Sequence, residues 1–129
     1  MFSPTNLRSP LGRARGLGSA KEGLHHWWGQ RVTAVALVPL TIWFVVSLIR
    51  LVSGQADGFG WFRSPFNAGA LIIFFAVGFH HAALGMQVVL EDYVSGHAAR
   101  VASVMVSKLV CYGLAALAIV STLIVILGR

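Results

Sequence analysis

Three long apolar stretches divide the chain, and short polar segments separate them. The stretches cover about residues 32–52, 66–90 and 101–127. Each has the roughly 20 residues that a helix needs to cross a hydrocarbon core of about 30 Å. Alternating ten-residue strands, which would indicate a membrane barrel, do not occur in the sequence. The pattern predicts an all-α integral membrane protein whose three transmembrane helices form one domain, residues 25–129.

The composition supports a membrane protein. Of the 129 residues, 57% are hydrophobic and only 11% are charged, and the mean hydropathy is +0.76. A soluble domain of this size needs more charge than this to keep its surface in water. The single cysteine, Cys111, excludes a disulfide framework and a cysteine-based metal site within the chain.

Residues 1–24 precede the first apolar stretch and have no hydrophobic period. They contain Pro4, Pro10 and several glycines, and their first acidic residue is Glu22. We expect a flexible, basic tail in the cytoplasm. An Arg-rich segment of this kind is also compatible with a mitochondrial presequence, although its glycine and proline content disfavours the amphipathic helix of one.

Basic residues are distributed unequally between the two ends of the predicted helices. The segment before residue 32 and the region 91–108 contain seven of the ten Lys and Arg residues, and only Arg50, Arg63 and Arg129 lie on the other side. Because Lys and Arg accumulate on the cytoplasmic side and face anionic lipid headgroups, we expect the N-terminus in the cytoplasm and the C-terminus in the periplasm. The same rule explains the net charge of +6 without a nucleic-acid partner.

A histidine lies within the second apolar stretch, where an ionisable side chain is costly unless it has a partner. At 100° per residue, Gly78 and Gly85 lie within about 60° of His81, and Asp92 returns nearly to the same azimuth. Small neighbours permit the close approach of another helix, or leave space for a flat ring that the imidazole ligates. Helix packing, a proton relay and haem ligation are therefore three open interpretations of His81. His80 points about 100° away, so a haem would need its second ligand from another protein.

Polar side chains also lie on the predicted cytoplasmic side of the membrane. Arg31 ends the segment LHHWWGQR and could bind either a haem propionate or a lipid phosphate. Asp92 and Tyr93 end the second helix. They are either a solvated acid with an anchoring tyrosine, or a proton-accepting carboxylate and a phenol donor beside a lipid-soluble quinone. The residues alone leave both alternatives open at each position.

Two segments carry a resemblance to a known family. Residues 81–94 read HAALGMQVVLEDYV, which resembles the signature H-A-x-x-G-M-x-x-V-L-x-D-Y-V of the small hydrophobic membrane anchor subunit, the D type, of succinate dehydrogenase. Residues 18–40 read GSAKEGLHHWWGQRVTAVALVPL, which is similar to the segment entering the first helix in the alphaproteobacterial branch of that family. The three-helix topology with a cytoplasmic N-terminus agrees with the resemblance.

The resemblance implies a role for each matched residue. His81 corresponds to the axial ligand of a b-type haem whose other ligand comes from the C-type anchor subunit, so the chain would be half of a haem-binding helical bundle. Tyr93 corresponds to a tyrosine that donates a hydrogen bond to ubiquinone, and Asp92 to a neighbouring acid linked to proton supply. Arg31 corresponds to an arginine near the haem propionates and the quinone pocket. Some members have an acidic residue at the position of His26, so no role is carried over to it.

The resemblance also implies the function and the partners. The chain would anchor succinate dehydrogenase, the succinate:ubiquinone oxidoreductase of the tricarboxylic acid cycle and respiratory electron transport, beside a flavoprotein, an iron–sulfur subunit and the C-type cytochrome b556 subunit. It would not be an enzyme on its own, because it has no dinucleotide-binding glycine motif and one cysteine. The implied location is the bacterial inner membrane, with the mitochondrial inner membrane as the alternative. A fumarate reductase-type anchor and a non-redox three-helix membrane protein are the competing functions.

Overall fold

The computed structural model describes residues 21–128, except the side chains of Lys21 and Glu22. This part of the chain contains four helices: α1 (Lys21–Val52), α2 (Gly58–Arg63), α3 (Pro65–Tyr93) and α4 (His97–Leu127). By length and composition, α1, α3 and α4 are each able to cross a membrane. For the described residues, the predicted all-α architecture with three candidate membrane-spanning helices is confirmed.

The long helices extend beyond the apolar stretches that predicted them. Helix α1 begins at Lys21 rather than near residue 32, and α3 ends at Tyr93 rather than near residue 90. Helix α4 begins at His97, so residues 94–96 alone separate it from α3. The predicted ten-residue polar connector is therefore wrong in length, because polar residues continue the backbone hydrogen bonding of a helix beyond the apolar core.

The predicted basic tail falls mostly outside the described residues. Residues 1–20 lie there entirely. Residues 21–24 form the first turn of α1.

The predicted loop between the first two spans contains α2, which the hydrophobic pattern did not indicate. Asp57 caps this helix, since its Oδ2 accepts a hydrogen bond from the backbone N–H of Gly60 at 2.6 Å. Trp61 of α2 stacks on Trp43 of α1 with ring centroids 5.7 Å apart. The side-chain amide of Asn67 in α3 donates to the carbonyl of Trp61 at 3.1 Å. These contacts hold the segment against both neighbouring helices.

Helix α3 is central, because both α1 and α4 pack on it and its contact with α4 is the more extensive. Two of its three buried residues, Ala68 and Ala83, are small; the third is Leu71. Small residues let membrane helices approach closely, which matters where lipid removes the hydrophobic drive between helices. Only 6% of the most apolar part of α1 is buried within the chain, and 11% in α3 and in α4. Most apolar side chains therefore face lipid or another protein.

Helices α1 and α3 are antiparallel and close together. A Cβ atom built on Gly29 would lie 3.3 Å from Cδ1 of Leu84, and one built on Gly78 would lie 3.8 Å from Cδ2 of Leu37. As the residue number rises in α1, it falls in the facing part of α3. This register brings the middle of α1 against the middle of α3.

Candidate functional site

His81 is half-buried near the middle of α3, and its imidazole contacts α1. Its Nδ1 lies 2.8 Å from Oγ1 of Thr33. The same Oγ1 lies 2.7 Å from the carbonyl oxygen of Gly29 and 3.2 Å from that of Gln30. In the described part of the chain, no hydrogen bond joins the other ring nitrogen, Nε2, to any residue. A neighbouring helix thus satisfies one nitrogen of this histidine.

The glycines on the His81 side of α3 pack against α1. The sequence allowed two interpretations of these glycines, a close approach of another helix or space for a flat ring. A Cβ on Gly78 would lie 3.8 Å from Leu37, and one on Gly85 would lie 3.4 Å from Nε2 of Gln30. Side chains of α1 therefore occupy the space beside both glycines. On this face the glycines permit the close approach of α1 and α3.

Asp92 and Tyr93 lie at the end of α3, apart from His81. At a rise of about 1.5 Å per residue, they are roughly 16 Å and 18 Å further along the helix axis. Both side chains are exposed, and Tyr93 is 84% exposed. Within this chain the candidate residues thus form two separate regions, one in the middle of the helix and one at its end.

Arg31 has an exposed side chain whose Cζ lies 5.3 Å from the centroid of the Trp27 ring. This is the geometry of a cation–π interaction. Positions i and i+2 of a helix differ by about 200° in azimuth. Arg31 and Thr33 therefore point to nearly opposite sides of α1. Arg31 is therefore not part of the contact between Thr33 and His81.

A polar cleft of about 600 Å³ lies between the helices near the start of α1. The side-chain amide of Gln87 donates to Glu91 there at 2.7 Å. Nε2 of His26 is buried and has no hydrogen-bond partner among the described residues. The predicted site residues Arg31, His81, Asp92 and Tyr93 do not line this cleft. Its walls are formed by Gly23, His25, His26, Gly29, His80, Leu84, Gln87, Glu91 and Lys108.

The two adjacent histidines of α3 contact different helices. Nδ1 of His80 lies 3.1 Å from the hydroxyl oxygen of Tyr112 in α4, whereas His81 contacts Thr33 in α1. The helical step of about 100° explains this separation. His80 therefore contacts a different helix from His81, and it offers a matched control for His81.

The described residues do not assemble a metal site on their own. Between residues 21 and 128, no group of three or more His, Cys, Asp or Glu side chains is arranged to hold a metal ion. A centre that used one ligand of this chain would need its remaining ligands from a partner.

Thr33 is the site residue that sequence reasoning missed. It lies 48 residues before His81, in a different helix. The available signal was a hydroxyl within an otherwise apolar stretch, but a hydroxyl can also bond to its own helix backbone. Only the register between α1 and α3 reveals its contact with the imidazole.

Comparison with known proteins gives the family. Residues 5–125 match the family described as "Succinate dehydrogenase/Fumarate reductase transmembrane subunit". The chain belongs to this family. The resemblance inferred from the two sequence segments is thereby confirmed, and the three long helices of the structure are those of a succinate dehydrogenase-type membrane anchor.

Several similar proteins are described as membrane anchor subunits of succinate dehydrogenase. A "Succinate dehydrogenase hydrophobic membrane anchor subunit" from Rickettsia conorii is 34% identical over 108 residues, which cover 82% of this chain and 86% of the relative. One from Paracoccus denitrificans is 37% identical over 89 residues, covering 68% and 69%. A "Succinate dehydrogenase membrane anchor subunit" from Reclinomonas americana is 29% identical over 94 residues, covering 70% and 78%. No solved structure matches the chain.

Proposed function

We propose that the chain is the membrane anchor subunit of succinate dehydrogenase and that His81 is one axial ligand of a b-type haem. The observation that carries this proposal is the half-buried imidazole, with Nδ1 2.8 Å from Thr33 and with Nε2 free of hydrogen bonds to the described residues. Metal-ligating histidines usually donate their second ring N–H to a protein group, which orients the ring. The donor chemistry of His81 fits haem iron.

In this proposal, His81 would hold the haem together with a residue of the C-type anchor subunit. His80 is engaged by Tyr112 on the other side of α3, so it does not complete the same site. The bound haem would supply a one-electron carrier within the membrane. The apolar helices around His81 keep water from the ligand, and Thr33 holds the ring.

Tyr93 and Asp92 form one side of the ubiquinone site in the proposal. The phenol of Tyr93 donates a hydrogen bond to a quinone carbonyl, and the carboxyl group of Asp92 takes protons from the cytoplasmic water and passes them to the quinone oxygens as these are reduced. The exposure of both side chains supports this role. Val89, one turn before Tyr93, is 49% exposed and offers apolar surface to an isoprenoid tail. Arg31 provides positive charge near the haem propionates or the quinone.

The proposed assembly lies in the bacterial inner membrane, with the start of α1 and the end of α3 on the cytoplasmic side. The positive-inside distribution of Lys and Arg supports this orientation. The partners are the flavoprotein, iron–sulfur and C-type anchor subunits of succinate dehydrogenase. The large exposed apolar surface of the three long helices supports contact with a second membrane subunit.

Affinity purification of the tagged chain in mild detergent tests the assembly. We expect a flavoprotein, an iron–sulfur protein and a second anchor subunit to co-purify with a b-type absorption band. His81→Ala should abolish this band, while the matched variant His80→Ala should retain it. Recovery of the chain without these partners would refute the anchor function, and an unchanged band in His81→Ala would refute the ligand assignment.

Steady-state kinetics with ubiquinone test the proposed role of Tyr93 at the end of α3. Loss of one hydrogen bond of about 0.5–1.5 kcal/mol corresponds to a loss of roughly 2- to 10-fold in binding. We expect Tyr93→Phe to lower succinate:ubiquinone reductase activity by about this factor, and electron transfer to a soluble dye to stay constant. Tyr112→Phe, which removes a hydroxyl near the middle of α4, is the control. If the unmodified complex, Tyr93→Phe and Tyr112→Phe have equal ubiquinone kinetics, Tyr93 is not part of the quinone site.

A further inference from the structure

The hydroxyl hydrogen of Thr33 is committed to its own helix. Oγ1 lies 2.7 Å from the carbonyl oxygen of Gly29 and 3.2 Å from that of Gln30, and both are acceptors only. At 2.7 Å, two oxygen atoms without a hydrogen between them repel each other. The single hydroxyl hydrogen of Thr33 therefore points at the backbone of α1, and the oxygen offers a lone pair to its other neighbour.

That other neighbour is Nδ1 of His81, at 2.8 Å. Since Thr33 has no second hydrogen to donate, a lone pair on Nδ1 would face a lone pair of the hydroxyl oxygen. The contact is favourable only if Nδ1 carries a hydrogen and donates it to Oγ1. The neutral imidazole then has its free electron pair on Nε2.

We propose that Thr33 is the positioning residue of the haem site: it selects the Nδ1–H tautomer of His81 and directs the Nε2 electron pair to the iron. This inference rests on the proposed function of His81 as a haem ligand. In the opposite tautomer, Nε2 carries the hydrogen and cannot coordinate a metal. The chain of hydrogen bonds from His81 through Thr33 to Gly29 thus connects the ligand to the backbone of α1.

The same hydrogen bond affects the electronic properties of the ligand. A group that accepts from Nδ1–H makes the imidazole a stronger base. A stronger base favours the more oxidised state of the iron, so the contact with Thr33 lowers the midpoint potential of the haem. Its removal should raise the potential and weaken haem binding, the latter by about 10- to 100-fold as for other partners of metal ligands.

The test compares purified four-subunit complexes that carry Thr33→Val, Thr33→Ser or Thr122→Val. Valine has nearly the shape of threonine without its hydroxyl, and serine keeps the hydroxyl. Thr122 of α4 donates to the carbonyl of Ala118 at 2.8 Å without touching a histidine. Its variant therefore controls for the loss of a threonine-to-backbone hydrogen bond within a membrane helix. The readouts are the haem midpoint potential, the haem-to-flavin ratio and the affinity of haem-depleted complex for added haemin.

We expect Thr33→Val to raise the midpoint potential and to lower haem affinity, and Thr33→Ser and Thr122→Val to match the unmodified complex. An unchanged potential and affinity in Thr33→Val would overturn the inference. If Thr33→Val does not assemble, Thr33→Ala removes the hydroxyl without adding bulk and is judged by the same readouts. His81→Ala is measured in parallel: if it retains haem, the proposed function fails, whereas loss of haem in His81→Ala with no effect in Thr33→Val overturns only the role of Thr33.

Discussion

The close approach of α1 to α3 at Gly29 can be tested by adding side-chain volume there. A Cβ on Gly29 would already lie 3.3 Å from Cδ1 of Leu84, and the two further methyl carbons of valine, attached directly to Cβ, would add to that crowding. Extra carbon atoms in a packed contact typically cost about 1–3 kcal/mol. We expect Gly29→Val to destabilise the fold by about this amount. Gly23→Val is the matched control, because it lies in the same helix with nothing within 4 Å of its Cβ.

Thermal stability in detergent provides the assay. Each variant is expressed as a fluorescent fusion, heated, and chromatographed to measure the fraction that remains monodisperse. In a domain of about this size, 1 kcal/mol corresponds to a shift of about 4–8 °C in Tm. The Tm of Gly29→Val should therefore fall at least about 4 °C below that of Gly23→Val. Both substitutions replace a glycine of α1 by valine, and only the one at Gly29 places side-chain atoms against Leu84.

Equal Tm values for the two valine variants would refute the packing argument. They would mean that Leu84 moves aside freely or that α1 and α3 are further apart than the contact at Gly29 implies. Because Gly29 lies one turn from Thr33, the register that brings Thr33 to His81 would then also need revision.

Three further outcomes are expected. Leu71→Ala should cost about 2–5 kcal/mol because Leu71 is only 5% exposed, whereas Ile73→Ala, at a position that is 53% exposed, should change the thermal stability little. Asp57→Ala should weaken the cap of α2 by about 0.5–2 kcal/mol and accelerate amide hydrogen exchange over residues 58–63; protection equal to the unmodified chain would contradict the capping role. Alkaline phosphatase fused to the C-terminus should be active if that end is periplasmic, and activity of a cytoplasmic reporter at the same position would reverse the proposed topology.

The three membrane-spanning helices could be predicted from the sequence because the hydropathy of each stretch is summed over about 20 residues. Each apolar stretch is long enough that single polar residues do not obscure it, and Pro39 inside α1 does not interrupt the helix. The ends were less accurate because helix formation continues into polar residues such as Lys21 and His97. Helix α2 was missed because it has six residues, two of them glycines, and depends on a cap and on aromatic stacking.

From the sequence, only those site residues could be predicted whose side chains are unusual for the stretch in which they lie. His81 is costly in an apolar stretch, so its importance was visible without a structure. Its partner was not visible, because Thr33 lies 48 residues away and helix register does not follow from hydrophobicity. The glycines beside His81 allowed two interpretations, and the sequence did not indicate that Leu37 and Gln30 of α1 lie next to Gly78 and Gly85.

The short connection between α3 and α4 has a consequence for how the contact at His81 forms. Gly96 adopts a φ of +92°, which favours glycine and lets the chain reverse within residues 94–96. The resulting helical hairpin packs together more extensively than α1 and α3 do. Thr33 belongs to α1, outside this hairpin. The contact between His81 and Thr33 therefore forms only when α1 and α3 are packed in their final register.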